Sequence, residues 1–327
     1  MNLPANLTRG LDVALDRLVV PGYTRIGPAL RRTWWPADPP ADALAGSVVA
    51  VTGANSGLGK ATALGAARLG AEVRMLCRSV DRGAAARDEI LREVPGAVLH
   101  VDECDLSSLE AVREVGADLA RQVPSLHALV HNAGVMPPER TETPEGHELT
   151  LATHVLGPHI LTEALRGSLA ADGDGRVVFV SSGGMYTQSL DSEDPEFTRG
   201  PYTPTAAYAR TKRMQVHLAE AWARELARDK VSAHSTHPGW ADTPGVQTSL
   251  PGFSKALGPL LRSPESGADT TVWLLAAPEG HGTTGLFWHD RAPRPTHHVS
   301  RPAPSAEQVG RLWRFCVETT GVPAATS

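Results

Sequence analysis

The sequence has few cysteines and no long apolar run. Only three cysteines occur in 327 residues, Cys77, Cys104 and Cys316, and they lie far apart. An odd number of widely separated cysteines fits free thiols in a reducing compartment better than a disulfide framework. No apolar run reaches the ~18 to 20 residues that span a bilayer, and the first residues lack the basic start and apolar middle of a signal peptide. The predicted location is therefore the cytoplasm.

The sequence also lacks a concentration of positive charge and a set of metal ligands. The formal net charge is -5 and no run of lysine or arginine occurs, whereas proteins that bind nucleic acid present a basic face. Histidines lie close together at His234 and His237 and at His297 and His298, but no cysteines or carboxylates accompany them at ligand spacing. We therefore predict no nucleic-acid partner and no metal site.

The first 45 residues differ in pattern from the rest of the chain. Pro21-Gly22 is expected to end an amphipathic helix and to precede a proline-rich linker. One interpretation is a helix that packs on the main domain or on a partner subunit, and the second case allows a homo-oligomer. The other is a weak peripheral membrane contact through Trp34-Trp35 and nearby arginines. The apolar residues at helical spacing are Leu11, Leu15, Leu18 and Val19, and the arginines are Arg25, Arg31 and Arg32.

From Ser47 onward, strand and helix patterns alternate, which predicts an α/β fold with a parallel sheet covered by helices on both faces. The predicted strands cover residues 47–51, 71–77, 97–101, 128–130, 176–180, 231–236 and 285–288, and the most clearly bounded helices cover 81–94, 109–122, 268–276 and 306–320. We divide the chain into an N-terminal extension with a linker at 1–45, a main domain at 46–300 and a C-terminal helical part at 301–327. This last part is expected to pack on the domain or on a partner.

A glycine-rich loop follows the first predicted strand. The segment Thr52-Gly-Ala-Asn-Ser-Gly-Leu-Gly-Lys60 leads into a helix that begins near Gly57. Glycines at 53, 57 and 59 remove side chains where a pyrophosphate would approach backbone N–H groups at a helix N-terminus. A Walker A loop would need glycine in place of Ala54 and serine or threonine in place of Ala61, and the spacing Gly-x-Gly-x-x-Gly is not met either.

A tyrosine and a lysine lie one helical turn apart, at Tyr208 and Lys212. Residues four apart share a helix face, so the phenol and the ammonium are expected to point into the same space. A fixed cation favours the phenolate and lowers the pKa of the phenol, which would let the hydroxyl exchange a proton near neutral pH. On its own this spacing is also common in ordinary surface helices.

The glycine loop and the tyrosine-lysine pair occur together in one alternating chain. Thr-Gly-x-x-x-Gly-x-Gly at 52–59, with Tyr-x-x-x-Lys about 150 residues later, resembles the short-chain dehydrogenase/reductase family. The resemblance covers roughly residues 46–300 and implies a single Rossmann-type doubly wound domain. A narrower pattern resembles the branch that contains dehydrogenase/reductase member 12 and retinol-dehydrogenase-like enzymes. That pattern is Ser-Ser-Gly-Gly-Met at 181–185, His-Pro-Gly-Trp-Ala-Asp-Thr-Pro-Gly-Val at 237–246, Pro-Gly-Phe at 251–253 and Gly-Ala-Asp-Thr at 267–270.

The resemblance also implies a catalytic set. Ser182 would hold the substrate oxygen, where negative charge builds during hydride transfer, and Tyr208 would deliver the proton. Lys212 would tune Tyr208 and anchor the nicotinamide ribose. His154 stands where related enzymes have an asparagine that helps to hold a water for the proton relay from the lysine. It either bonds this water through a ring nitrogen or is a packed histidine without a catalytic role.

For the cofactor, the resemblance implies contacts along the carboxyl edge of the predicted sheet. His131 departs from the usual Asn-Asn-Ala-Gly of the family, but the next three residues keep it. The implied contacts are Gly53, Asn55, Ser56, Gly57, Leu58 and Gly59 in the glycine loop; Arg78, Asp105 and Leu106; Asn132, Ala133 and Gly134; Tyr208 and Lys212; and Pro238, Gly239 and Thr243.

The end of the second strand bears on which dinucleotide is bound. An acidic residue at this point holds the ribose 2′-OH of NAD, whereas a basic residue accommodates the 2′-phosphate of NADP. Here the strand runs into Cys77-Arg78, and Lys60 is also available from the glycine loop. The sequence therefore favours NADP(H) over NAD(H).

The segments around the expected substrate site are long and partly apolar. Residues 240–262 are predicted to form a mobile lid, in which Trp240, Leu250 and Phe253 suggest an apolar pocket. The 25 residues between Ser182 and Tyr208 are expected to lie on the substrate side. We predict an oxidoreductase that interconverts an alcohol and a carbonyl on an apolar small molecule. The alternative is a catalytically weak NADP(H)-binding sensor or scaffold, and a nucleotide-sugar epimerase or dehydratase ranks last.

Overall fold

The structure is a computed structural model that describes residues 5–297 and 303–322. The predicted boundary at residues 300 and 301, and His298, therefore lie outside the described residues. The strands are β1 Val48–Thr52, β2 Glu72–Cys77, β3 Leu99–Glu103, β4 Ala128–His131, β5 Arg176–Val180, β6 Ser232–Thr236, β7 Phe287–His289 and β8 Ala292–Pro293. The helices are α1 Ala5–Arg17, α2 Val19–Tyr23, α3 Ile26–Arg31, α4 Gly57–Arg68, α5 Val80–Glu93, α6 Leu109–Gln122, α7 Leu149–Leu151, α8 Gly157–Ala164, α9 Arg166–Asp172, α10 Pro204–Glu225, α11 Pro244–Ser249, α12 Pro251–Leu257, α13 Pro264–Ala276, α14 Pro278–Gly282 and α15 Ala306–Thr320.

The eight strands form one sheet in the order β3-β2-β1-β4-β5-β6-β7-β8. All neighbouring strands are parallel except β7 and β8, which form an antiparallel pair at one edge. The chain runs outward from β1 to β3 on one side and then crosses to β4, which continues the sheet on the other side. In such sheets a crevice opens where the strand order reverses, beyond the carboxyl ends of β1 and β4.

Both faces of the sheet are covered by helices, which confirms the predicted α/β fold. In β1, Val49 and Val51 pack with α4, α5 and α13 on one face, while Ala50 belongs to the core formed with α6, α8 and α10 on the other. Successive strand residues point to opposite faces, so a strand buried on both sides is apolar throughout. The three cysteines are buried and free, as predicted.

Local capping signals explain why some predicted helix boundaries match the structure. Helix α6 begins and ends as predicted, because the Ser108 side chain accepts a hydrogen bond from the Ala111 N–H at its first turn. Helix α15 also matches, since Ser305 and Gln308 form a reciprocal capping box and Gly321 ends the helix with a φ of 67°.

The predicted end of the first helix is wrong. Helix α1 ends at Arg17, and Pro21-Gly22 lies inside α2 instead of terminating a helix. Pro21 is the third residue of α2, where a missing N–H costs no intrahelical hydrogen bond. The predicted third strand also begins too early, because residues around Ala97 form a turn in which its N–H bonds to Val94 O.

The N-terminal segment packs on the main domain through buried polar groups. Arg31 is fully buried and pairs with Asp290, at 2.6 Å, and with Asp12, at 2.7 Å. Arg31 therefore cannot take part in the membrane contact considered above, which stays a prediction resting on Trp34-Trp35, Arg25 and Arg32. Among the described residues, none of the helices combines the length and the apolar character needed to cross a membrane.

Candidate functional site

A cleft of about 580 Å³ opens at the carboxyl ends of the central strands. All predicted site residues line it except Gly59 and His154. Gly59 lies behind the loop, where a Cβ atom would overlap the backbone oxygen of Gly53 and the side chain of Asn132. Its role is thus to let α4 approach the strand ends, and His154 lies behind Gly134.

The backbone of the glycine loop adopts a conformation that residues with a Cβ atom would disfavour. Gly53 and Gly57 have φ values of 66° and 53°, in the left-handed region that favours glycine. A Cβ atom at Gly53 would also come within 2.9 Å of Ala133 Cα. The loop therefore leaves a concave surface at the N-terminus of α4, where N–H groups can bind phosphate oxygens. These features fit the pyrophosphate of a dinucleotide.

Thr52 joins the ends of β1 and β4. Its hydroxyl oxygen accepts hydrogen bonds from the N–H groups of Asn132, at 2.9 Å, and Ala133, at 3.0 Å. The Asn132 side chain in turn donates to Thr52 O at 3.0 Å. Thr52 also lines the cleft and was not among the predicted site residues, although its position directly before Gly53 could have indicated it.

Two arginines lie where the adenosine end of a dinucleotide is expected. Arg78 follows β2, and Arg82, one turn into α5, also lines the cleft. Sequence reasoning missed Arg82, although a residue four positions from Arg78 on a helix that begins at Val80 could have been noticed. Lys60, in contrast, forms an ion pair with Glu89, with 2.5 Å between Nζ and Oε2. The structure therefore does not show Lys60 free for the cofactor, although the sequence predicted this.

Ser182 and Tyr208 meet on the wall of the cleft. Ser182 follows β5, its side-chain oxygen accepts a hydrogen bond from the Gly184 N–H at 3.1 Å, and it lies next to the Tyr208 phenol. Ser181 points the other way and donates to Lys212 O at 2.8 Å. The two neighbouring serines therefore differ, and only the Ser182 side chain is placed beside the phenol.

The Tyr208 hydroxyl does not have the lowered pKa that the tyrosine-lysine spacing predicted. Burial raises the pKa of Tyr208 above its ordinary value, and the hydrogen bond with Ser182 only partly opposes this. The reason is that removing a phenolate from water raises its free energy by more than the neighbouring groups lower it. In the free protein Tyr208 is thus protonated at neutral pH.

Lys212 lies at the cleft floor, with its ammonium held by two oxygens. Lys212 Nζ donates to Val180 O at 2.8 Å and to Gln215 Oε1 at 3.0 Å. Burial lowers the pKa of Lys212 to about 7, because the cation is removed from water. Gln215 was missed from the sequence, where its spacing of three residues from Lys212 was the available signal.

The ring of His154 is fully engaged with the protein. It lies in a π-helical segment, Ala152–Leu156, and its Nε2 accepts a hydrogen bond from the Val135 N–H at 2.9 Å. Its Nδ1 must then carry the proton and donate to Thr211 Oγ1 at 2.8 Å. Burial lowers the pKa of His154 well below its usual value, and Lys212 adds to this. Both ring nitrogens of His154 are therefore occupied, and neither is free to form the predicted hydrogen bond with a relay water.

The segment after β6 connects the cleft with the N-terminal part of the chain. His237 Nδ1 accepts from the N–H groups of Gly183, at 3.0 Å, and Gly239, at 3.2 Å, so it holds the loop after Ser182 against this segment. The Trp240 N–H donates to Tyr23 O at 2.7 Å. The segment next to the nicotinamide position is therefore braced by a residue of the N-terminal segment.

The predicted lid forms two short helices, α11 and α12, above the cleft. Trp240 and Phe253 pack edge to face with ring centroids 5.1 Å apart, and both line the cleft together with Leu250. The Thr243 hydroxyl accepts from the Val246 N–H and so caps α11. The end of the cleft beside Trp240, Leu250 and Phe253 is thus apolar. Among the described residues, no group of histidines, cysteines and carboxylates could hold a metal ion.

Comparisons with known proteins agree with this arrangement. The family profile described as short chain dehydrogenase matches residues 47–252. Dehydrogenase/reductase SDR family member 12 from Bos taurus is 43% identical over 253 residues, 77% of this chain and 79% of that protein. Retinol dehydrogenase 13 from Homo sapiens is 31% identical over 290 residues, 85% of this chain and 86% of that protein. A crystal structure of an uncharacterized protein from Mycobacterium paratuberculosis matches with a TM-score of 0.69 and 26% identity, over 90% of this chain and 99% of that chain.

The motifs and the comparisons thus identify the same family. The family predicted from the glycine loop, Tyr208 and Lys212 is confirmed, and so is the branch predicted from the motifs at 181–185, 237–246, 251–253 and 267–270. Family members are oxidoreductases that bind NAD(P)(H), and the glycine loop and cleft of this chain fit such a dinucleotide. This chain belongs to the short-chain dehydrogenase/reductase family.

Proposed function

We propose that this chain is a cytoplasmic NADP(H)-dependent oxidoreductase that interconverts an alcohol and a carbonyl on an apolar small molecule. The observation that carries this proposal is that Ser182 and Tyr208 lie next to each other at the apolar end of a dinucleotide cleft. The wall formed by Trp240, Leu250 and Phe253 supports the apolar substrate. The name of one relative, retinol dehydrogenase 13, agrees with a substrate of this kind.

The residues around the cleft have distinct proposed roles. The glycine loop would hold the pyrophosphate, and the cofactor, when bound, supplies or accepts the hydride. The Ser182 hydroxyl would donate a hydrogen bond to the substrate oxygen, where negative charge develops. Tyr208 would transfer a proton to that oxygen, and its raised pKa keeps it protonated for this step. Lys212 would bind the nicotinamide ribose.

The proposed activity can be tested without knowing the natural substrate. NADPH binding would be measured by nicotinamide fluorescence, and turnover then followed on aldehydes and ketones of increasing apolar size and on the matching alcohols. Turnover that improves with apolar size is expected. Binding without turnover across the whole panel would contradict the proposal and favour the sensor or scaffold alternative.

The preference for NADP(H) is expected to depend on Arg78 and Arg82. Replacing both by alanine should lower kcat/KM for NADPH by about 10- to 100-fold, because charge-assisted bonds to a phosphate are lost, and should change kcat/KM for NADH little. Steady-state kinetics with both cofactors measure this ratio. Arg87→Ala is the matched control, since Arg87 lies on the same helix and pairs with Asp88. An equal loss for both cofactors would show that the arginines do not select the 2′-phosphate.

Binding of NADPH is expected to weaken as the pH rises above about 7. Lys212 has its pKa lowered to about 7, so it is a cation below this pH and loses its proton above it. If the cation binds the ribose, the apparent Kd should rise by up to about tenfold per pH unit between pH 7 and 9.

Fluorescence titration at several pH values measures this slope. The other buried groups near Lys212 do not titrate between pH 7 and 9: the pKa of His154 is lowered well below its usual value, that of Tyr208 is raised, and that of Cys104 is raised to about 12. Lys212→Met should bind more weakly and lose the slope. A Kd of the unmodified protein that stays constant from pH 7 to 9 would exclude the role of Lys212 in binding.

A further inference from the structure

The interior side of Lys212 is closed by a glutamine. Gln215 lies on α10, one turn after Lys212, and is completely buried. Its Oε1 accepts from Lys212 Nζ at 3.0 Å, and its Nε2 donates to His154 O at 2.9 Å. An ammonium can only donate and a carbonyl can only accept, so a single orientation of the amide satisfies both partners.

The other half of this bridge is also held rigidly. His154 O belongs to the π-helical segment Ala152–Leu156, and such segments are frequent at functional sites. The His154 ring is bonded on both sides, to the Val135 N–H and to Thr211. The carbonyl that receives Gln215 is therefore attached to a residue with little freedom to move.

We propose that Gln215 is the positioning residue of the site: it bridges Lys212 to the His154 carbonyl and fills the place of a relay water. This inference rests on the proposed function, in which Lys212 binds the cofactor. Lys212 has three N–H groups. Two are directed to Val180 O and Gln215 Oε1, so the third is left for a group in the cleft, which Lys212 lines.

The bridge also explains how a histidine can replace the asparagine of related enzymes. The group that acts at this position is the backbone carbonyl of His154, to which the Gln215 amide donates a hydrogen bond directly. The side chain serves to fix that carbonyl. With the amide in place, the space between Lys212 and His154 O is filled by protein atoms, and the proton of Tyr208 is exchanged through the cleft.

Two substitutions of opposite character distinguish this role from simple packing. Gln215→Leu fills the space but removes the amide that binds both Lys212 and His154 O, so that Lys212 keeps only its bond to Val180 O, and kcat is expected to fall by about 10- to 100-fold. Gln215→Ala opens room for a water between two polar groups, which can restore the bridge, and kcat should fall by less than about tenfold. A residue needed only for packing would give the reverse order, because leucine preserves the buried volume and alanine does not.

A second readout does not depend on turnover. The pH profile of NADPH binding is expected to have its midpoint near the lowered pKa of Lys212, about 7. Gln215→Glu brings a carboxylate next to the ammonium and should move this midpoint upward, whereas Gln215→Leu should move it downward. Gln122→Leu, at an exposed glutamine of α6 that bonds Arg74, is the matched control and should change neither kcat nor the midpoint.

The experiment is done with the full chain, at a temperature where thermal unfolding shows every variant to be folded. The proposal is overturned if Gln215→Leu keeps the kcat and the midpoint of the unmodified protein, or if it is more active than Gln215→Ala. If the unmodified protein has no turnover on any substrate, the proposed activity fails, but the shifts in the binding midpoint still decide the role of Gln215.

Discussion

Tyr208→Phe is expected to lower kcat by about 10²- to 10⁴-fold with NADPH, the range typical of losing a general acid. Phenylalanine keeps the ring in place against His154, with which Tyr208 packs edge to face at 5.5 Å between centroids. It removes only the hydroxyl that lies next to Ser182. The Kd of NADPH should therefore change by only a few fold, so that the loss appears in kcat and not in cofactor binding.

The measurement is steady-state turnover on the best carbonyl substrate of the panel, together with fluorescence titration of NADPH. Tyr202→Phe is the matched control: its hydroxyl donates to Glu148 at 3.1 Å, and Tyr202 does not line the cleft. This control should keep nearly full activity. A Tyr208→Phe protein with unchanged kcat would disprove the proposed proton transfer.

Asp290→Asn is expected to lower the free energy of unfolding by about 3–5 kcal/mol, the typical cost of removing one partner from a buried ion pair. Asp290 accepts hydrogen bonds from Arg31 and Arg262, at 2.6 Å each, and all three side chains are buried. Burial raises the pKa of Asp290, but His289 and the two arginines outweigh this, and the pKa is lowered well below the usual value. A neutral amide would remove the carboxylate that pairs with the buried Arg262 and would leave Arg31 paired only with Asp12.

Asparagine is the suitable replacement because Asp290 has a φ of 50°, in a region that asparagine tolerates better than most residues. Urea unfolding measures the change. Glu93→Ala, which breaks the exposed pair between Glu93 and Arg68, should have no measurable effect, since exposed pairs contribute little. An Asp290→Asn protein as stable as the unmodified one would show that the network does not stabilise the fold.

The same network connects stability with the site. Arg262, which pairs with Asp290, also donates to Tyr23 O at 2.9 Å and to Gly22 O at 2.7 Å. The Tyr23 carbonyl is also bound by the Trp240 N–H. The N-terminal segment thus holds both ends of the lid, and a loss of Asp290 is expected to raise the KM for substrate as well.

Much of the fold could be predicted because its signals are local. A serine N-cap is enough to place the start of α6 and of α15, a glycine places the end of α15, and apolar runs place β1 and β5. The prediction failed where a local signal has two meanings. Proline ends a helix from its interior but is accepted in its first turn, and only the packing of α2 showed which case applied.

The composition of the candidate site was also largely predicted, but its chemistry was not. The glycine loop, Tyr208 and Lys212 were found by type and spacing and Ser182 by the family resemblance, and these predicted residues line one cleft with the exception of Gly59. The lowered pKa predicted for Tyr208 was wrong, because burial acts more strongly on the phenol than its neighbours do. The exposure of an ionisable group depends on everything that surrounds it, which spacing along one helix does not describe.

By itself, the sequence determined the family, the alternating α/β order and the residue types along the cleft, since these follow from periodicity and short motifs. Only the tertiary structure decided which buried polar groups are paired. Arg31 and Asp290 are 259 positions apart, and His154 and Gln215 are 61 apart. No local pattern relates such residues, yet a buried donor or charge without a partner is costly. The positions of Arg31, His154 and Gln215 are therefore set by partners that only the folded chain brings together.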